Sequence, residues 1–469
     1  MKKIKNEAVL LQHGVQESRK IVLDILDETL FQLDSYRRIR NMVTLEGSMF
    51  TIGNQKWDLD QKDKVYLIST GMAANAMARV FIEVLGERLA GGVVAVHEME
   101  EGMDYGKVQV FTGGHPLANK GSLEAGEAAL RLASLAGEND LFIGAMSGGC
   151  SSLMSCPMDG LTLGEEIFTR DILRRCGANV IEINSICRHI SKINGGRLAK
   201  VIEQRGAEII SLLVMDALDF PIVEDPGIPQ KFMASQMAPD PTTLEDAKDV
   251  IRHYHIEEKL PRRVVSFFEN CTDKDETPKE LKRWTSFLVS TLPNASQCAK
   301  EIAEKKGIPA VVLTNVLEGE SKEAGTFLAS IAKEIQRGGQ PFKPPCVLIT
   351  TGEVSTQIED FNSPTGTGGP SQELVISFAI KAKGIPGVCI ASIDTEGSDG
   401  TSNAAGGIVD SKTYDEAFRK KIDLYKVLRE HAANEALNDL KGAIVTGATG
   451  VTLCDLNIMY VPDISQSGK

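Results

Sequence analysis

"YLISTGMAANAMAR", residues 66–79, reads as a strand, a turn and a helix in one short stretch. Tyr66 to Thr70 are apolar or β-favouring, Gly71 breaks the run, and Ala73, Ala74, Ala76, Met77 and Ala78 begin a small-residue helix. A glycine turn at a helix N-terminus is a ready anion site, because unpaired N–H groups and the helix dipole point at it. Such loops usually add a Lys or Arg for phosphate, yet the residue here is Met72. Phosphate binding and a plain tight turn are both compatible with the stretch.

The same grammar recurs along the chain. Apolar runs such as "KVYLIST" (64–70), "GGVVAVH" (91–97), "KVQVFTG" (107–113), "DLFIGAM" (140–146) and "AEIISLLVM" (207–215) end in glycine-rich turns and alternate with helical stretches. The pattern resumes with "IPAVVLT" (308–314), "PPCVLIT" (344–350), "GVCIASI" (387–393) and "GAIVTG" (442–447). Strands apolar on both faces, alternating with helices, predict an α/β protein with largely parallel sheets covered on both sides. Ligands on such sheets bind beyond the strand carboxyl ends, where these glycine loops sit. Ile21, Leu23, Ile25, Leu26, Leu30 and Leu33 predict an amphipathic helix packed on that body. Residues 216–290, rich in proline and aspartate at first and charged over 269–280, predict irregular, exposed chain. The expected division is an N-terminal domain over 1–240, a connector over 241–285 and a C-terminal domain over 286–469.

Composition narrows the function classes. Of 469 residues, 42% are hydrophobic and 25% charged, as in ordinary globular proteins, and the net charge is −13. That balance argues against a nucleic-acid surface and against anionic membrane binding. Nine scattered cysteines without a CxxC pair predict buried thiols in a reduced, cytoplasmic protein. The charged N-terminus does not read as a signal peptide, and no run approaches the ~18 apolar residues of a membrane span.

Five stretches carry candidate chemistry. "GAMSGGCSSLMSCP" (144–157) leads a strand through Ser147, Gly148 and Gly149 into Ser151 and Ser152, with room for close backbone approach and hydroxyl donors for phosphate. "SICRHISKINGGRLAK" (185–200) places His189 before Gly195, Gly196 and Arg197, although a lone histidine is more often packed than functional. Residues 350–380 offer Glu353 at a strand end and a Gly368-Gly369 loop entering a helix through Gln372 and Glu373. "IDTEGSDGTSNAAGGIVD" (393–410) gathers Asp394, Glu396, Asp399 and Asp410, either a Mg²⁺ holder assisted by substrate phosphates or a solvated acidic loop. "VTGATGVTLCDL" (445–456) is one more strand and glycine turn. P-loop, zincin, GxSxG and strand-following GxGxxG motifs are absent.

Taken in order, these pieces resemble the glycerate 2-kinase family, whose C-terminal portion is the MOFRL domain and whose older label is hydroxypyruvate reductase. The matching stretches are "TGMAANAMA", "GGHPLANKGSLEAG", "MSGGCSSLMSCPMDGLTL", "INSICRHISKINGGRLA", "APDPTT", "GTGGPSQE", "TEGSDGTSNAAGGIVD" and "VTGATGVTLCDL", spanning about 66 to 456. The resemblance implies a Rossmann-like N-terminal α/β/α domain, a C-terminal α/β MOFRL-type domain and an active site in the cleft between them. It implies ATP- and Mg²⁺-dependent phosphorylation of D-glycerate at the 2-hydroxyl. Asp216 then becomes the candidate general base. Gly71, Ser147, Gly148, Gly149, Ser151, Ser152, Gly195, Gly196, Arg197, Gly368 and Gly369 become nucleotide or phosphate contacts. Met72, His115, His189, Glu353, Gln372 and Glu373 become substrate contacts, and Asp399 a Mg²⁺ ligand. A homodimer is one assembly compatible with this reading.

Departures from the family pattern cluster in these loops. G-K-A-A is Met72 here; R-K-H-x-S-x-x-K-G-G has Cys187, Arg188, His189 and Asn194; G-G-R-N-Q-E has Pro370 and Ser371; and the S-G-P beside D-P-T-T is Ser235, Gln236 and Met237. Losing several cations from a phosphoryl-transfer site removes transition-state stabilisation. The sequence therefore predicts a kinase of glycerate or of a related small hydroxy acid or polyol, with weak turnover of D-glycerate itself. A non-kinase paralogue using the same cleft, and a hydroxypyruvate reductase, stand as alternatives.

Overall fold

Strand-forming runs whose residues are buried on both faces organise two six-stranded sheets, and a small antiparallel ribbon forms a third sheet of its own. The computed structural model describes residues 2–176, 178–216, 235–358 and 365–464. The ribbon comprises β1 (Val43–Glu46), β2 (Met49–Ile52) and β3 (Gln55–Asp58), which sequence reading did not anticipate. The first large sheet is built from β4 (Val65–Thr70), β5 (Leu89–Val96), β6 (Val108–Thr112), β7 (Leu141–Met146), β8 (Glu208–Met215) and β9 (Trp284–Thr291). Its order is β6-β5-β4-β7-β8-β9, with the first five strands all parallel. Every residue of β7 is buried, and helices Ala74–Leu85, Lys120–Ser134 and Arg197–Gln204 pack on the sheet. Strand order reverses between β4 and β7, so the loops leaving these strands flank the switch point of a doubly wound sheet.

The second large sheet is mixed. It contains β10 (Ala310–Glu320), β11 (Cys346–Ser355), β12 (Cys389–Asp394), β13 (Gly406–Asp410), β14 (Ala443–Ile444) and β15 (Asp455–Val461), in the order β10-β11-β15-β12-β13-β14. Only β10 and β11 run parallel; β15 is antiparallel to both its neighbours, and β12–β13 and β13–β14 are antiparallel too. The expectation of a largely parallel sheet is corrected here. Burial on both faces produced the parallel-looking pattern, since helices Gln16–Leu33 and Pro370–Ala382 both pack on these strands.

The chain forms two compact units, with boundaries unlike those expected. One takes the chain up to Asp34, Asp216, and the chain from Ser290 onward; the other takes Ser35–Met215 and the chain up to Val289. The N-terminal 34 residues thus join the C-terminal sheet. Helix Gln16–Leu33 buries Val22, Leu23, Ile25, Leu26, Leu30 and Leu33, and packs on β12 and β15. Arg19 and Asp410, both fully buried, form an ion pair there. The expected connector over 241–285 instead holds helices Leu244–Tyr254 and Arg262–Asn270, whose apolar faces share a core with helix Val180–His189. Tertiary packing overrode the polar composition. Among the described residues, no helix is long and apolar enough to cross a membrane.

Candidate functional site

Site residues fall into two groups, one in each unit. In the unit of the parallel sheet, the turn after β4 is clasped by the turn after β7. Met72 N–H donates to the Gly148 carbonyl at 2.9 Å, and Ala73 N–H to Ser147 Oγ at 3.0 Å. Gly71 has φ +121°, and a Cβ there would overlap Ser147 Oγ and its carbonyl, so glycine is required for this approach. Ser147, Cys150 and Ser152 also spend their N–H groups inside the clasp, on the carbonyls of Thr70, Ser147 and Gly149. Ser152 Oγ donates to the Gly149 carbonyl at 2.9 Å and lies 2.8 Å from His115 Nδ1. Gly149, at φ +78°, faces both His115 and Met72; a Cβ on it would lie 3.0 Å from His115 Nδ1 and 3.3 Å from Met72 Cγ. Gly71, Met72, His115, Ser147, Gly148, Gly149 and Ser152 therefore form one locus, with Ser151 on the adjoining turn Cys150–Leu153.

His115 is held neutral in this locus. Burial drives its pKa down to about 4, helped by His97, Arg174 and Arg170. Both arginines come from helix Leu163–Arg175, which a Thr162–Glu165 capping box starts. Glu166 on that helix is buried and accepts from Ser155 Oγ at 2.8 Å, and Arg170 and Arg174 follow at intervals of four on the same face. Arg170 Nη2 is buried with no hydrogen-bond partner among the described residues.

Downstream, His189, Gly196 and Arg197 each make hydrogen bonds within this unit, and Arg197 Nε is buried without a partner among the described residues. His189 is buried, with Nδ1 2.6 Å from the Ser185 carbonyl and Nε2 2.8 Å from Glu276 Oε1. Glu276 also accepts from the Leu244 and Thr277 N–H groups and its pKa lies at about 2; burial opposes this shift, and those bonds with Lys279 and His189 produce it. Gly195 and Gly196 have φ +62° and +77°, and Gly196 N–H donates to the Ser235 carbonyl at 2.8 Å. Arg197 Nη2 donates to the Asp275 carbonyl, and Arg188 pairs with Asp240 at 3.1 Å.

In the unit of the mixed sheet, Asp399 caps helix Pro370–Ala382. Its carboxylate accepts from Ser371 N–H (3.2 Å), Gln372 N–H (2.9 Å) and Gln372 Nε2 (3.0 Å). The anion place at this helix N-terminus is thus filled by the protein's own carboxylate. Gly369 lies so close to Asp399 that a Cβ would overlap it, and Gly368 N–H donates to Thr401 Oγ1 at 3.2 Å. Gln372 is fully buried, and Glu373 accepts from His431 Nδ1 at 2.8 Å.

Carboxylates crowd the same sheet end. Asp394 and Asp455 face each other directly across β12 and β15, and Glu353, an exposed residue of the otherwise largely buried β11, follows Gly352, the partner of Asp455. Asp216, the first residue past β8, accepts from Cys454 Sγ through its carbonyl at 3.3 Å. Burial pushes Asp216 up to about 6, with Glu353 adding repulsion. Asp394 rises to about 7 through burial and the charges of Asp399, Glu353 and Asp216. Glu396 and Asp455 rise further for the same reasons, and Asp399 rises to about 6 through burial. Like charges in register on adjacent strands destabilise each other, so protons or a cation must neutralise part of this group. Sequence reading missed Asp455 and Arg170. The first is a lone acidic residue opening an apolar run; the second sits among other charges in an ordinary-looking helix.

Known proteins resemble this chain along most of its length. A model described as domain of unknown function DUF4147 matches residues 21–269, and the MOFRL family model matches residues 346–455. A glycerate 2-kinase of Pyrococcus horikoshii is 36% identical over 447 residues, covering 94% of this chain and 97% of that one. A D-glycerate 2-kinase of Thermotoga maritima is 34% identical over 399 residues, covering 84% and 90%. The crystal structure of a glycerate kinase from Thermotoga maritima matches with a TM-score of 0.75 at 30% identity, covering 94% of this chain and 99% of that one.

Proposed function

Because the chain belongs to the glycerate 2-kinase family, we propose that it transfers the terminal phosphoryl group of ATP to a hydroxyl of glycerate or a related small hydroxy acid. The family relationship makes it a kinase-like phosphotransferase; the donor, the acceptor and the residue roles are our reading. One observation carries the roles: Asp216 stands at a strand carboxyl end with its pKa raised to about 6. A carboxylate tuned toward neutrality is ionised at pH 7 yet basic enough to take a hydroxyl proton as phosphorus–oxygen bonding develops.

The donor set fits Mg²⁺. Asp394 and Glu396 would supply hard oxygen ligands beside Asp399, the ligand expected from the sequence, whose carboxylate is already engaged as the helix cap; the repulsion between Asp394 and Glu396 favours a cation. No group of three or more His, Cys, Asp or Glu among the described residues is arranged to hold a metal unaided. Magnesium commonly needs only one or two carboxylates when substrate phosphates complete its shell. When bound, it supplies charge neutralisation on the phosphate oxygens. Asp216 would orient and deprotonate the acceptor hydroxyl. Within the unit of the parallel sheet, a serine proton directed to the Gly149 carbonyl leaves His115 donating from Nδ1, with its Nε2 lone pair open to a ligand.

Incubating purified protein with Mg-ATP and a panel of hydroxy acids and polyols tests the reading. Phosphorylated hydroxy acid is the expected product. Failure to phosphorylate any of them would overturn it in favour of a non-kinase paralogue, and NADH oxidation with hydroxypyruvate would favour a reductase.

A further inference from the structure

We infer that Arg170 binds the carboxylate of the hydroxy-acid substrate at the His115–Ser152 locus, an assignment that rests on the function proposed above. Three observations converge on it. First, Arg170 Nη2 is buried and unpartnered among the described residues. A buried guanidinium nitrogen left unbonded is costly, and a ligand oxyanion removes that cost. Second, the helix bearing it is anchored at this locus: Glu166, one turn earlier on the same face, accepts from Ser155 Oγ just beyond the turn that holds Ser152. Third, other candidate cations are engaged elsewhere: Arg188 pairs with Asp240, and Arg197 donates from Nη2 to the Asp275 carbonyl, although Arg197 Nε is also buried without a partner among the described residues. The charge of Arg170 also reaches His115.

A carboxylate suits this locus better than a polyphosphate. The N–H groups of Met72, Ala73, Ser147, Cys150 and Ser152 are all consumed within the clasp, leaving none of these five for a phosphate cradle. A planar guanidinium matches a carboxylate in two parallel hydrogen bonds. Neutral His115 adds no second charge and is suited to a hydroxyl beside that carboxylate.

The test compares wild type with Arg170→Met, which keeps the packing stem, and Arg170→Lys, which keeps the charge. Calorimetric binding of D-glycerate, L-glycerate and lactate is measured without nucleotide, with glycerol as the neutral control, and KM for ATP is measured separately. We expect Arg170→Met to weaken carboxylate binding at least tenfold, to leave glycerol binding and KM for ATP within threefold, and to be partly rescued in Arg170→Lys. Carboxylate binding within threefold of wild type in Arg170→Met overturns the assignment while leaving the kinase reading intact. A selective rise in KM for ATP overturns it in favour of a phosphate contact. Carboxylate binding by wild type, lost in Arg170→Met, without any phosphorylation supports the assignment and sinks the kinase reading. No binding of any carboxylate by wild type overturns both.

Discussion

His115 Nδ1 and Ser152 Oγ lie 2.8 Å apart, and Ser152 Oγ is also 2.9 Å from the Gly149 carbonyl; with the serine proton directed to that carbonyl, the imidazole is the Nδ1–H tautomer. With its pKa lowered to about 4, His115 favours the folded state above the unfolded value near 6.5 and loses that advantage as pH falls toward 4. Nitrogen-edited NMR should show this ring neutral down to pH 5. Between pH 6.5 and 4, stability should drop by at most ~1.4 kcal/mol per pH unit from this residue, a slope that His115→Gln removes.

The carboxylate group has the opposite sign. Asp216, Asp394 and Asp399 have folded pKa values of about 6, 7 and 6, above the ordinary 3.8, so their stabilising protonation is present at low pH and lost as pH rises through 6 to 7. Asp394→Asn should therefore raise Tm at pH 8 and change it little at pH 4. Millimolar Mg²⁺ should raise the wild-type Tm more at pH 8 than at pH 5. An equal Mg²⁺ effect at both pH values would argue against binding at these carboxylates.

Asp216→Asn should lower kcat by 10²- to 10⁴-fold with KM nearly unchanged, the range expected for losing a general base. Unaltered turnover would remove Asp216 from the mechanism.

Met72 faces Gly149 in the locus assigned above to the substrate carboxylate, where a second cation would strengthen the hold on that anion. We expect wild-type turnover of D-glycerate below the ~1–100 per second common for kinases. Met72→Lys should raise kcat/KM about tenfold, with a further gain on adding Pro370→Arg. Robust wild-type turnover, unimproved in both variants, would show that the methionine costs nothing.

Arg19→Met should destabilise the protein by roughly 3–5 kcal/mol in urea unfolding, because it leaves Asp410 buried and uncompensated. Adding Asp410→Asn should recover much of that loss.

The parallel sheet was legible because its strands are unbroken apolar runs closed by glycine turns, as at Leu67–Gly71 and Ile143–Gly149. The mixed sheet was legible as strands but not as topology: helix cover on both faces erases the alternation that marks antiparallel pairing. β15 escaped because Asp455 and Asn457 are buried polar residues in a run otherwise read as the end of a glycine turn. Among site residues, the Gly71–Ser147 clasp follows from where strands end, whereas the bonds of Gln372, Glu373 and His189 to Asp399, His431 and Glu276 have no counterpart in the sequence pattern. Only the fold supplies those partners. Arg170 was hidden for the converse reason: spacing at four residues describes a solvated helix face equally well.

The placement of residues 2–34 has a consequence for biosynthesis. Helix Gln16–Leu33 leaves the ribosome well before the strands it covers, β12 and β15, are translated. Lys5 N–H waits for the Val445 carbonyl, and Asn6 exchanges bonds with Ala443 and Val445. Throughout elongation the helix must carry an unburied row of leucines and isoleucines while the interposed unit completes its own sheet. A nascent chain of this design lets the intervening unit fold before the strands that close the other unit exist. Until β12 and β15 emerge, the apolar face of this helix lacks that native cover and is open to off-pathway association.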